Sequence, residues 1–151
     1  MRIAVISDIH SAYAPFAKAL SDARAAGFDQ LILLGDMFTY GLEPAECAEL
    51  AAEAISKDGA VLVGGNHDQL YIEMKNGQTD YFDRMPDWIK QSADWTWEQL
   101  GKHWPDTLPI VHEWDSGPLL MAHANPFGYG DWTYMSGDAE MARAAEVCAQ
   151  R

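Results

Sequence analysis

The first 64 residues alternate between short apolar runs and longer amphipathic segments, and this alternation constrains the fold more than any other feature. Pro15 and Pro44 stand where a first helical turn is expected, and Gly27 and Gly59 stand where each of these helices should end. Three apolar runs have the length of buried strands: Ile3–Ile6, Leu31–Leu34 and Ala60–Val63. Strands and helices in this order predict right-handed βαβ crossovers in a parallel sheet, and therefore an α/β fold.

The chain changes character after Asp68. Tryptophans concentrate in residues 69–105, where Trp97, Leu100 and Trp104 share one face of a predicted helix. Such rings serve either a packed core or subunit contact, or stacking on a nucleobase. Three elements are predicted after them: an antiparallel hairpin of Ile110–Trp114 with Leu119–Ala122, a loop over Asn125–Gly137, and a helix over Asp138–Gln150.

Composition and charge narrow the classes of partner. The 151 residues are 48% hydrophobic and 22% charged, as in one globular domain, and no apolar run approaches the roughly 18–20 residues that span a bilayer. The net charge of −13 argues against a nucleic-acid partner, because such proteins present basic surfaces. Cys47 and Cys148 indicate no disulfide framework and are expected at buried helix positions. We expect a single domain over residues 1–151, located in the cytoplasm, with no membrane partner.

Polar clusters follow four of the predicted strands, at the point where each strand ends. They are Asp8-Ile9-His10, Gly35-Asp36, Gly64-Gly65-Asn66-His67-Asp68 and His123. Ligands of open α/β sheets collect beyond the carboxyl ends of the strands, and carboxylate, imidazole and amide oxygen together suit divalent ions such as Mn, Fe or Zn. Taken singly, an aspartate here is also a common helix cap, and a lone histidine is often structural. The order and placement of all four clusters favour a metal site.

The order of these clusters resembles the successive motifs of the calcineurin-like metallophosphoesterase family, in particular its small bacterial and archaeal phosphodiesterase-like branch. The resemblance implies an αββα sandwich with a binuclear metal centre between the two sheets. It implies that Asp8 and His10 bind one ion. Asn66 and His123 would bind the other, and Asp36 would bridge the two.

The resemblance also gives roles to the residues of the third cluster. Asn66 and His67 would contact the substrate, with His67 as general acid or phosphate-contacting imidazole and Asp68 orienting it. Two divalent ions (Mn, Fe, Zn or Ni) held about 3.5–4 Å apart lower the pKa of a shared water, which gives a metal-bridging hydroxide at neutral pH. A histidine with a pKa near neutrality can then protonate the leaving alkoxide.

The sequence departs from the family pattern at its C-terminal end. The pattern closes with a Gly-His-X-His segment on a strand, and this sequence stops at Arg151 before any such segment. We therefore expect a sandwich truncated after the helix that follows the fourth motif, with each metal one histidine short. These 151 residues alone are then expected to bind metal weakly or incompletely and to hydrolyse poorly. The open sheet edge beside the His123 strand favours pairing with another chain, as in a homo-oligomer. The alternative is a non-catalytic scaffold whose metal site has degraded.

The residues after Gly35-Asp36 bear on the substrate. This segment lacks the arginine that protein phosphatases and dinucleoside-tetraphosphate hydrolases carry, and less fixed positive charge favours a phosphodiester over a phosphomonoester dianion. The predicted function is metal-dependent hydrolysis of a small phosphate ester, with a phosphodiesterase favoured and a phosphomonoesterase or nucleotide pyrophosphatase as the alternative. Tyr40, Tyr129 and Tyr134 are candidates for lining its pocket.

Overall fold

The structure is a computed structural model that describes residues 1–101 and 108–151. A parallel sheet has the strand order β1-β2-β3-β4, and a two-stranded antiparallel sheet pairs β5 with β6. The strands are β1 (Ile3–Ile6), β2 (Gln30–Leu34), β3 (Val61–Val63), β4 (Ile110–Val111), β5 (Trp114–Asp115) and β6 (Leu120–Met121). The helices are α1 (Tyr13–Ala26), α2 (Pro44–Asp58), α3 (Asn66–Lys75), α4 (Asp80–Asp83), α5 (Asp87–Leu100) and α6 (Asp138–Ala149). The predicted α/β class, with a parallel sheet, is confirmed.

Strand β2 lies inside the parallel sheet because its side chains are apolar on both faces. Leu31, Ile32 and Leu33 are fully buried. The strand pairs with β1 on one side, where Ala4 is opposite Leu31, and with β3 on the other, where Leu62 is opposite Leu33. A strand buried on both faces explains why its sequence shows no alternation of polar and apolar residues.

Helices α1 and α2 bury their apolar sides in the same core as this sheet. Phe16 and Leu20 of α1 and Cys47 and Ala51 of α2 are buried there. Gly59 ends α2 in the left-handed conformation, with φ 66°, where a glycine is expected. The two βα crossovers predicted from the sequence are confirmed, with boundaries within two residues.

The predicted hairpin is wrong in its first strand. Ile110 and Val111 do not pair with the second hairpin strand; they form β4, which lies parallel to β3 and continues the larger sheet. The hairpin consists of Trp114–Asp115 and Leu120–Met121 alone. The apolar residues near Ile110 resemble one continuous strand in the sequence, whereas the chain leaves the edge of β3 after two residues and then turns into the second sheet.

Helix α6 forms where it was predicted, but none of its residues is buried. Met141, which was expected to lie under a sheet, is 58% exposed. Cys148 is exposed as well, so the prediction of two buried cysteines is right for Cys47 and wrong for Cys148. The preceding segment, 125–137, contains no helix or strand, as predicted.

The tryptophans of the middle segment divide between packing and the surface. Trp97 stacks on the ring of Tyr71 in the core, with ring centroids 6.4 Å apart. Trp88 is 62% exposed. Trp104 lies outside the described residues. No helix in the described part of the chain is both long and apolar enough to cross a membrane.

Candidate metal centre

The polar clusters predicted at the strand ends come together at one cavity of about 610 Å³. It lies beyond the carboxyl ends of β1, β2 and β3, and the segment after β6 closes it from the second sheet. All six residues predicted as metal ligands or substrate contacts line it: Asp8, His10, Asp36, Asn66, His67 and His123.

The turns after β1 and β2 are held against each other in an unusual backbone conformation. Asp8, His10 and Asp36 have φ values of 55°, 48° and 53°, in the left-handed region that residues other than glycine seldom adopt. The N–H of Asp8 donates to the carbonyl of Gly35 over 3.1 Å, and that of His10 to the carbonyl of Asp36 over 3.0 Å. Non-glycine residues in this region cost about 1–3 kcal/mol each and concentrate at functional sites.

Asp36 lies between two histidines. Its Oδ2 is 3.7 Å from Nε2 of His10, and its Oδ1 is 3.4 Å from Nε2 of His123. Asp8, His10 and Asp36 each offer one ligand atom, and these atoms all lie within 4.8 Å of one another. The side chain of Asp36 is only 6% exposed, so its charge needs a partner.

Backbone carbonyls orient both imidazoles toward this carboxylate. Nδ1 of His10 is 2.9 Å from the carbonyl of Phe38, and Nδ1 of His123 is 2.7 Å from that of Leu34. Because a carbonyl only accepts, each Nδ1 carries the proton, and the Nε2 of a neutral ring is left with a lone pair. A lone pair facing a carboxylate oxygen requires a proton or a cation between them. The donor set of this cluster therefore fits a divalent metal ion.

Asp36 and His123 each favour the charged form of the other. Burial opposes the charge on both groups, but their mutual hydrogen bond and charge attraction, together with hydrogen bonds to the backbone, outweigh it. The pKa of Asp36 is consequently lowered, with help from the N–H of His67, and the pKa of His123 is raised to about 9.

His67 has its backbone fixed and its ring in the cavity. Its N–H donates to Oδ1 of Asp36 over 2.9 Å, and its Nε2 lies 3.2 Å from the hydroxyl of Tyr40. Its Nδ1 is buried and has no hydrogen-bond partner among the residues that the structure describes. Burial lowers the pKa of His67, the charge of Asp36 acts in the opposite direction, and the neighbouring histidines lower it further.

Asp68 contacts backbone rather than the ring that the resemblance implied. Its fully buried carboxylate accepts hydrogen bonds from the N–H groups of Asp36 and Gly65, both over 2.9 Å, and of Met37 over 3.0 Å. Burial raises its pKa to about 7, although these N–H groups act in the other direction. The described residues show no hydrogen bond between Asp68 and the ring of His67.

Gly65 allows this close approach of the turns after β2 and β3. A Cβ at position 65 would collide with Oδ1 and the backbone nitrogen of Asp36. The glycine before Asn66 is thus explained by the closeness of a carboxylate from another strand.

Comparison with known proteins identifies the family of the chain. The sequence model of the calcineurin-like phosphoesterases matches residues 1–143. The chain belongs to this family. An uncharacterized protein of Methanocaldococcus jannaschii is 31% identical over 141 residues, which are 90% of this chain and 54% of that protein.

Two solved structures of the same architecture resemble the chain. A metallophosphoesterase from Sphaerobacter thermophilus is 26% identical with a TM-score of 0.71, covering 97% of this chain and 56% of its own. A hypothetical protein from Pyrococcus horikoshii is 19% identical with a TM-score of 0.78, covering 96% and 64%. The chain thus spans between about half and two thirds of the length of these relatives.

Several residues at this calcineurin-like site were not predicted from sequence. Tyr81, Trp132 and Met135 line the cavity beside Tyr40 and Tyr134, two of the three tyrosines proposed for it. The third, Tyr129, stacks on His112 in a neighbouring cavity. Ser7 donates a hydrogen bond to Asp8 over 2.5 Å. The position of Ser7 directly before Asp8 in the sequence is a signal that could indicate this contact. Nothing in the sequence around Tyr81, on the short helix α4, indicates that it lines the cavity.

Proposed function

We propose that this chain binds two divalent ions (Mn, Fe, Zn or Ni) that share Asp36, and that it hydrolyses a phosphate ester, preferably a small phosphodiester. The observation that carries the proposal is the pair of imidazoles aimed through Nε2 at the two oxygens of one buried carboxylate. Each Nε2 and the carboxylate oxygen that it faces form one pair of possible metal ligands. Two such pairs around a single carboxylate support two cations rather than one.

Each ion would be held by residues from different strand ends. Asp8 and His10 would hold the first, and Asn66 and His123 the second. When bound, such ions supply a water-derived nucleophile at neutral pH and positive charge for the phosphate oxygens. The carbonyls that orient His10 and His123 keep the rings in the required tautomer before any ion arrives.

His67 would then donate a proton to the leaving group. Its backbone is fixed on Asp36 and its Nε2 faces the cavity beside the Tyr40 hydroxyl, so a proton on Nε2 can reach an ester oxygen bound there. Nothing in this role requires His67 as a metal ligand.

The preference for a diester rests on the charge of the cavity lining. Among the described residues that line it there is no lysine or arginine. A monoester dianion would have no fixed cationic side chain for its second charge, whereas a diester carries a single charge.

The test measures the rate of ester hydrolysis by the chain after EDTA has removed bound metal and Mn²⁺ has been added back. We expect bis(p-nitrophenyl) phosphate to be cleaved faster than p-nitrophenyl phosphate, and Asp36→Asn to reduce both metal content and turnover by at least about 100-fold. Glu49→Gln, an exposed acid on α2, is the control. Metal binding without hydrolysis of either ester would instead favour the scaffold alternative.

The role of His67 is tested by comparing esters whose leaving groups differ in acidity. His67→Ala should leave the metal content intact and reduce turnover about 10²–10⁴-fold for an ester of a poorly acidic alcohol. For a nitrophenyl ester the loss should be much smaller, because nitrophenolate leaves without a proton. An equal loss on both esters would make His67 a phosphate contact rather than a proton donor.

A further inference from the structure

Two stacked aromatic rings lead from the metal centre to the surface. The rings of Tyr40 and Trp88 are 5.7 Å apart between centroids and tilted by only 23°. On its inner side Tyr40 contacts His10 and His67, at centroid distances of 4.7 and 5.0 Å. On the outer side Trp88 is 62% exposed. The ring pair therefore presents an aromatic face that the described residues leave exposed.

The backbone holds Tyr40 in this position against its own preference. Thr39 and Tyr40 have φ values of 76° and 70°, which are strained for a β-branched and a bulky residue. The strain is held by two contacts: the N–H of Tyr40 donates to the Ser92 hydroxyl over 2.8 Å, and the Thr39 hydroxyl lies 2.6 Å from that of Tyr71. Strain that the surroundings enforce is concentrated at sites with a function, where it fixes a side chain in advance of a ligand.

The cavity wall beyond Tyr40 is also aromatic. Tyr81, Trp132 and Tyr134 line it, and Tyr134 is 86% exposed. With no lysine or arginine in the lining that the structure describes, the part of a ligand outside the phosphate meets mainly rings. A cavity of about 610 Å³ accommodates a ligand of nucleotide size.

We propose that the Tyr40–Trp88 pair is a subsite for a planar ring carried by the phosphate ester. The preferred substrates are then nucleoside or aryl phosphate esters rather than esters of simple sugars or glycerol. This inference rests on the proposed function for its reacting phosphate, but the ring subsite can be measured by binding alone.

The test compares two ligands that differ only in the ring. Adenosine 5′-monophosphate and ribose 5-phosphate are titrated by calorimetry into the Mn²⁺-loaded chain. We expect the adenosine compound to bind about 10- to 100-fold more tightly, the range that one stacked base contributes. Trp88→Ala should remove this preference and leave ribose 5-phosphate binding unchanged, whereas Trp88→Phe should keep most of it.

Tyr13→Ala on α1 is the matched control, since this aromatic residue is 36% exposed and lines a separate pocket with residues of α2. Equal affinity for the two ligands, loss of both in Trp88→Ala, or no binding of either would overturn the inference. Nucleoside preference without hydrolysis of any ester would contradict the proposed function and keep the subsite. Hydrolysis without nucleoside preference would support the proposed function and contradict the subsite.

Discussion

The turn at Asp36 holds its side chain between two imidazoles and its backbone against a second, buried carboxylate. Oδ1 of Asp36 accepts from the N–H of His67, while the N–H of Asp36 donates to Asp68. The turns after β2 and β3 are therefore joined by hydrogen bonds in both directions, with Gly65 in the gap. At the scale of the residue, the position of the Asp36 carboxylate depends on Asp68, a neighbour that is completely buried.

Asp68→Asn tests this dependence. The substitution replaces one acceptor oxygen by an NH₂ group that faces backbone N–H donors, so the turn at Asp36 should relax and Mn²⁺ affinity should fall about 10- to 100-fold. Calorimetric titration with Mn²⁺ measures the effect, with the exposed Asp94→Asn on α5 as control. Circular dichroism confirms that the variant is folded. Unchanged affinity with a leaving-group effect like that of His67→Ala would instead restore the orienting role for Asp68 that the resemblance implied.

At the scale of the element, the sequence predicted what depends on local periodicity. Strands β1 to β3 and helices α1 and α2 were predictable because apolar runs of strand length alternate with capped amphipathic segments. Strand β4 was not, because two residues, Ile110 and Val111, show no periodicity and their parallel pairing with β3 is a long-range contact. The sequence also predicted that the site residues lie together, because each cluster follows the end of a predicted strand. The contacts of Asp68 and the strained turn at Tyr40 did not, because a sequence shows a side chain without showing its distant partners.

The two cysteines differ in burial, so their reactivity can compare how helices α2 and α6 are packed. Cys47 on α2 is completely buried, and burial raises the pKa of its thiol to about 12, with Glu43 and Glu46 adding to the effect. Cys148 on α6 is exposed. Because the thiolate is the reactive form, Ellman's reagent at pH 8 should titrate one thiol in the native chain and two after denaturation.

Two variants assign that thiol. Cys148→Ser should abolish the native reaction, and Cys47→Ser should leave it unchanged. Protection of Cys148 in the native chain would show that α6 is covered in solution, and rapid reaction of both thiols would show that α2 opens.

At the scale of the whole molecule, the candidate metal ligands connect the two sheets. His123 follows a strand of the small sheet, and its ring bonds to the carbonyl of Leu34 in the large sheet, 89 residues away in the chain. Asp8 and Asp36 come from neighbouring strands of the large sheet, in a chain whose net charge is −13. An ion bound here would join segments that are far apart in sequence and would relieve local repulsion between carboxylates.

Metal binding should therefore stabilise the fold as a whole. An ion that binds only the folded chain adds about 2.7 kcal/mol to the free energy of unfolding at 100 times its Kd, and a two-state thermal melt should show a corresponding rise in Tm with Mn²⁺ that EDTA reverses. Asp36→Asn should lose most of this rise, because Asp36 offers a ligand atom beside those of Asp8 and His10, whereas the exposed Glu49→Gln should keep it. The two variants change the net charge by the same amount, so the comparison separates a bound ion from general screening of the acidic surface. An equal rise in Tm in both variants would assign the stabilisation to screening and would contradict a metal centre at Asp36.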